Sequence, residues 1–150
     1  MSTDTHIEIR TINADALPDI IKLYRVLRPD WVPPSTTAQQ LDKYPAYGAY
    51  TADNDMAGFI YGNYFAPDIL ELYNIYICDA LRGKSVGSRL LQAFEEDTGL
   101  RDYNAVLLFN SDAYETAQEK ISAAPFYLKH GYQNIATTPQ TKIFFKSLTV

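Results

Sequence analysis

The chain is short of several things, and each shortage excludes something. It has one cysteine, Cys78, so no internal disulfide can form. Its two histidines, His6 and His130, stand far apart and do not make a zinc set with a single thiol. No apolar run is long enough to span a bilayer. The opening MSTDTHIEIR has no apolar core of signal-peptide length. Basic residues are fewer than acidic ones, 13 against 18, for a formal net charge of -5. An acidic surface repels phosphate, which argues against non-specific nucleic-acid binding and mildly favours a cationic partner. There is no internal repeat and no low-complexity tract. These absences predict a cytoplasmic protein with no metal, no nucleic-acid partner and no membrane segment.

What remains is an ordinary globular composition: 150 residues, 47% hydrophobic and 21% charged. That length predicts one domain over 1–150. HIEIRTI alternates as a strand does. Leu17, Ile20, Ile21, Tyr24 and Leu27 make one apolar helix face, ending near Arg28-Pro29. RPDWVPPST reads as a loop, and Ser35 or Thr36 as the cap of a short helix to about Tyr44. AYGAYTA, MAGFIYGNYF and ILELYNIYIC read as three strands in an antiparallel meander. A helix follows from Arg82-Gly83 to Gly99, with Val86, Leu90, Ala93 and Phe94 inward and Glu95 among the residues facing away. NAVLLFN is an apolar run expected as a central strand. ETAQEKISAAPFYLKHG reads as a helix that Pro125 breaks or kinks, and YQNIAT and KIFFKSL as a last strand pair. The expected order is β-α-α-β-β-β-α-β-α-β-β. This is an α/β (α+β) class, with a mixed central sheet of about seven strands and helices on both faces.

The segment DALRGKSVGSRLLQAF carries the chemistry. Gly83-Lys84-Ser85 looks like the tail of a P-loop, but the glycine that motif requires five positions earlier is Cys78. No acidic residue occurs from Ala80 to Phe94, where Arg82, Lys84 and Arg89 fall among small residues. A helix start of this kind attracts an anion through its unpaired N–H groups and dipole.

YICDALRGKSVGSRLL also resembles the acetyl-CoA signature of the GCN5-related N-acetyltransferases (GNAT), Arg/Gln-x-x-Gly-x-Gly/Ala. It reads here Arg82-Gly83-Lys84-Ser85-Val86-Gly87, with Ser85 in the place of the first motif glycine. Downstream, APFYLKHGY resembles that family's FYxKxGF segment, and the element order matches across nearly the whole chain. The resemblance implies a GNAT fold and acetyl-CoA as co-substrate, its pyrophosphate on the backbone amides from Gly83 to Ser88. The pantetheine arm would then lie along Ile75, Tyr76 and Ile77. It implies Tyr127 as the donor of a proton to the departing thiolate, and an acid on the strand before the signature as general base.

Where some relatives place that acid stands Tyr73. Glu71, two residues earlier and on the same face by strand period, is the best carboxylate, with Asp68 second. Where relatives carry a pantetheine-contacting asparagine stands Lys120, and Asn110 is the compensating candidate. Trp31 and Tyr73 are the acceptor-contact candidates. Cys78 reads as an inert thiol.

The activity implied is transfer of acetyl to a primary amine of a small molecule, or to a protein lysine or N-terminus. The alternative is a CoA-binding module that has lost catalysis, suggested by Ser85, Tyr73 and Lys120. Relatives are often dimers through the last strands, so either Phe144 or Phe145 could face a second copy, with the other in the core.

Overall fold

In a computed structural model, residues 6–111 and 123–148 are described. The elements run β1 (Glu8–Thr11), α1 (Leu17–Leu27), α2 (Thr37–Lys43), β2 (Ala46–Tyr50), β3 (Met56–Ala66) and β4 (Ile69–Ile77). They continue with α3 (Val86–Leu100), β5 (Ala105–Ser111), α4 (Ala123–Lys129), β6 (Gln133–Thr137) and β7 (Thr141–Ser147). This is the expected order. The first part of the expected fourth helix, with Lys120, lies outside the described residues. Pro125 is helical, so the described part of this helix, Ala123–Lys129, runs through it.

All seven strands join one sheet in the order β1-β2-β3-β4-β5-β7-β6. Every neighbouring pair is antiparallel except β4 with β5. Two cores sit on its two faces. Under α1 and α2, Ile20 and Leu41 pack with Phe59, Tyr61 and Tyr76. Under α3, Leu90, Leu91 and Phe94 pack with Leu70, Leu72, Val106 and Leu108, and Tyr127 of α4 joins them. The α3 layer lies close to β3 because glycines face it. A Cβ on Gly58 would stand 3.3 Å from the Leu90 side chain, and one on Gly62 3.1 Å from the Phe94 ring.

The structure corrects three expectations of detail. The helix after β4 begins at Val86 rather than Arg82-Gly83, because Gly83 (φ +75°) and Ser85 (φ +68°) are left-handed and no helix runs through them. A short 3-10 turn, Asp79–Leu81, fills the gap. Gly99 lies inside α3, one residue short of its end. Glu95 does not face away: its carboxylate takes hydrogen bonds from the Tyr132 hydroxyl and the Lys146 ammonium, each at 2.8 Å. Of the two phenylalanines of β7, Phe144 is buried in the α3 core, and Phe145 is half-buried on the opposite side. Among the described residues no helix is long and apolar enough to cross a membrane.

Candidate active site

The site begins where the sheet comes apart. β4 and β5 pair only at Ile69↔Ala105, Leu70↔Val106 and Glu71↔Leu107. Beyond Glu71 the two strands part. The rest of β4 has β3 on one side and, on the other, a cavity of about 880 Å³. Cys78 donates to the Ala57 carbonyl across the β3 side at 2.9 Å. Antiparallel alternation therefore turns the N–H and C=O of Ile75 and Ile77 away from β3 and into the cleft. Arg82 Nε reaches the Ile77 carbonyl there, at 3.3 Å.

A bulge divides the cleft into two sides. Tyr61 pairs with Asn74 and Gly62 with Leu72, so Tyr73 is an extra residue on β4. Upstream, Leu70 and Leu72 face α3; downstream, Ile75 and Ile77 do. Strand period two counts Glu71 onto the face of Ile75. The inserted residue puts Glu71 on the opposite face instead, the α1/α2 side, which Tyr76 shares.

On the α3 side lie groups suited to an anion. The first intrahelical bond of α3 runs from Arg89 N–H to the Ser85 carbonyl at 3.0 Å. The amides of Val86, Gly87 and Ser88 thus have no carbonyl one turn earlier. Ser85 makes no side-chain cap, and the first turn holds no acid. Arg82, Gly83, Ser85, Gly87 and Ser88 border the cavity, and so do Asn110 and Lys129. Lys84 is exposed and Val86 is buried in the core, so neither side chain reaches the cavity wall and only their backbone groups remain available. Ser88 Oγ and His130 Nε2 share a hydrogen bond of 2.9 Å. Burial, and then the Lys129 ammonium, hold the His130 imidazole below its usual pKa and therefore neutral at pH 7.

On the other side lie groups suited to an amine. Glu71 borders the cavity at the vertex of the splay, and burial raises its carboxyl above the usual carboxylate pKa. No described side chain is hydrogen-bonded or ion-paired with it. Trp31 and Tyr73 border the same space. Tyr127 of α4 comes from the α3 side, buried among Phe126, Tyr132 and Phe144, and reaches the cavity from there.

A cleft with an anion-binding helix start on one side and an unpaired carboxylate on the other suits a two-substrate reaction. Comparison with known proteins agrees. The family model described as "Acetyltransferase (GNAT) domain" matches residues 45–134, more than half of the chain. The chain belongs to the GNAT family. Acetyl transfer from acetyl-CoA to an amine is the activity that goes with membership. A search of curated proteins found no match.

GNAT structures share the fold at low identity. PaiA N-acetyltransferase from Thermoplasma acidophilum, solved in complex with coenzyme A, is 19% identical. The match covers 95% of this chain and 99% of that one, with a TM-score of 0.74. The ribosomal-protein-S18-alanine N-acetyltransferase of Escherichia coli is 17% identical over 97% of this chain and 96% of that one, TM-score 0.74. A GNAT-family acetyltransferase from Staphylococcus aureus Mu50 is 13% identical over 96% and 100%, TM-score 0.75.

Read as a GNAT site, the cleft brings together Glu71, Tyr127, the backbone of Ile75 and Ile77, Asn110 and the α3 turn. Sequence reasoning left out other residues that border it, among them Tyr24, Asn74, Phe126 and Lys129. Lys129 had a signal, since it is the lysine of the FYxKxG segment. Phe126 had the same one, as the phenylalanine of that segment, and in the structure a Cβ on Gly87 would meet its ring at 3.3 Å, so that glycine makes room for α4. Asn74 had none, because the bulge beside it has no sequence mark.

Proposed function

We propose that this protein transfers acetyl from acetyl-CoA directly to a primary amine, of a small molecule or a protein, with both substrates in the cleft together. The observation that carries this reading is Glu71: a half-buried carboxylate with no described partner, at the vertex of a cleft that Tyr127 also borders. An ammonium must lose a proton before its nitrogen can attack. Glu71 takes that proton, directly or through water, and its raised pKa makes it a stronger base than an ordinary carboxylate. The amine nitrogen then bonds to the thioester carbonyl carbon and the C–S bond breaks. Tyr127 gives its phenolic proton to the departing thiolate, and the second proton, shed by the nitrogen as it becomes an amide, restores the phenol. The amides of Ile75 and Ile77 hold the pantetheine arm as a strand would, and the α3 turn, Arg82 and Lys129 hold the pyrophosphate. For assembly, Phe145 is the β7 residue a second copy would meet.

The test is the pH–rate profile with any turned-over amine. Glu71→Gln lowers kcat about 10²- to 10⁴-fold and removes the acid limb, which in wild type sits above the ordinary carboxylate range because burial raises the pKa. Tyr127→Phe lowers kcat with acetyl-CoA binding retained. Unchanged profiles in both variants would remove these roles. Acetyl-CoA binding without release of CoA across a broad amine panel would favour a binding module instead.

A further inference from the structure

The acceptor class can be read from the charges at the acceptor end, a step that rests on the transfer reading above. The wall there is aromatic, made by Tyr24, Trp31, Tyr61, Tyr73 and Tyr76. Tyr24 ties it together, its ring centroid 4.7 Å from that of Trp31 and 5.6 Å from that of Tyr76. The loop carrying Trp31 is fixed by its main chain. Arg25 Nε donates to the Trp31 carbonyl at 2.9 Å, and Trp31 N–H donates to the Arg28 carbonyl at 3.0 Å. This wall therefore stands before any acceptor arrives.

Against it, among the described residues, stands one acid. Among the described residues bordering the cavity, the charged side chains are Glu71, Arg82 and Lys129. Lys129 follows Tyr127 on α4, next to the His130 that bonds Ser88, whereas Arg82 pairs with Asp79 at 3.3 Å and holds its guanidinium 5.7 Å from the Tyr76 ring centroid, at the edge of the wall. One carboxylate suits one ammonium. Among the described residues, a second ammonium, as on a polyamine, meets either the aromatic wall or another cation.

Tyr61 adds an independent observation. Its side chain is fully buried, and its hydroxyl has no hydrogen-bond partner. The Asn74 side chain approaches it without hydrogen-bond geometry. A buried, unpaired hydroxyl weighs against the fold, and a polar group on a ligand would relieve it. Tyr73, the bulged residue, is 41% exposed, and its ring lies 5.8 Å from that of Tyr61.

We propose that the acceptor is a monoamine on an aromatic body, with a hydrogen-bonding group that reaches the Tyr61 hydroxyl, and that Tyr61 selects for that group. Protein saturated with CoA is titrated calorimetrically with phenethylamine, tyramine and spermidine. The same amines and a lysine peptide are then assayed for CoA release from acetyl-CoA. Both aryl amines are expected to bind, with kcat/KM for tyramine about 100-fold above that for spermidine and about tenfold above that for phenethylamine. Tyr61→Phe should erase the tyramine advantage, leave the KM for acetyl-CoA unchanged, and keep or raise the melting temperature.

Preference for spermidine or the lysine peptide, or no binding of either aryl amine, overturns the proposal. So does a tyramine advantage that survives in Tyr61→Phe. Absence of acetyl-CoA binding by the wild type is a different result, and it takes down the transfer reading with it.

Discussion

At the scale of the residue, Ser85 holds the cofactor turn in a backbone shape that a side chain disfavours. It sits at φ +68°, ψ 7°, and its side chain makes no capping bond to the helix it precedes. A residue with a Cβ in this region costs about 1–2 kcal/mol. Glycine avoids that cost but brings more freedom to the unfolded chain. Ser85→Gly is therefore expected to stabilise the protein by about 0.5–1 kcal/mol in denaturant unfolding, with acetyl-CoA affinity held or improved. A destabilised variant would mean that the hydroxyl supports the turn. The sequence showed serine in a glycine's place. It could not show that the position is left-handed here, because that follows from how the chain leaves Gly83 and enters α3.

At the scale of the element, periodicity carried most of the fold. The apolar spacing from Leu17 to Leu27 bounded α1 at its observed ends, and the runs before and after Pro67-Asp68 became β3 and β4. The face of Glu71 was not legible in this way. A bulge is one inserted residue, and neither composition nor alternation marks Tyr73 as the extra one. The splay beyond Glu71 was not legible either, since nothing in ILELYNIYIC says where pairing with β5 stops; the resemblance implied only an arm along Ile75, Tyr76 and Ile77. Its consequence is testable without an acceptor. The N–H groups of Ile75 and Ile77 face the cleft, whereas that of Cys78 is held by Ala57. On adding acetyl-CoA, hydrogen exchange should slow at Ile75 and Ile77 and stay unchanged at Cys78. Equal change at all three would mean that the strand as a whole is stabilised and that no arm pairs along it.

At the scale of the whole molecule, the sheet is two halves joined by three residue pairs, and α3 is the beam across them. It grips the first half through Arg89, which donates to the Ile7 carbonyl at 3.0 Å, and through Asp97, which accepts from the Tyr47 hydroxyl at 3.0 Å. It grips the second half through Ser88 with His130 and through Glu95, which takes both the Tyr132 hydroxyl and the Lys146 ammonium. The Glu95–Lys146 pair is largely shielded, with side-chain exposures of 15% and 26%. Coulombic attraction there is less screened than at an open surface. Removing the carboxylate leaves a phenol and an ammonium without their acceptor, a loss of about 2 kcal/mol or more. The same loss frees β6 and β7, and with them β5, to shift against β4. Glu95→Ala should therefore lower stability in denaturant unfolding and also raise the KM for acetyl-CoA, although Glu95 does not border the cavity. Tyr132→Phe, which removes one hydrogen bond and keeps the ion pair, should cost about 1 kcal/mol and leave that KM near wild type. If Glu95→Ala lost stability with its KM unchanged, α3 would be a support for each half separately, and the width of the cleft would be set by the three β4–β5 pairs alone.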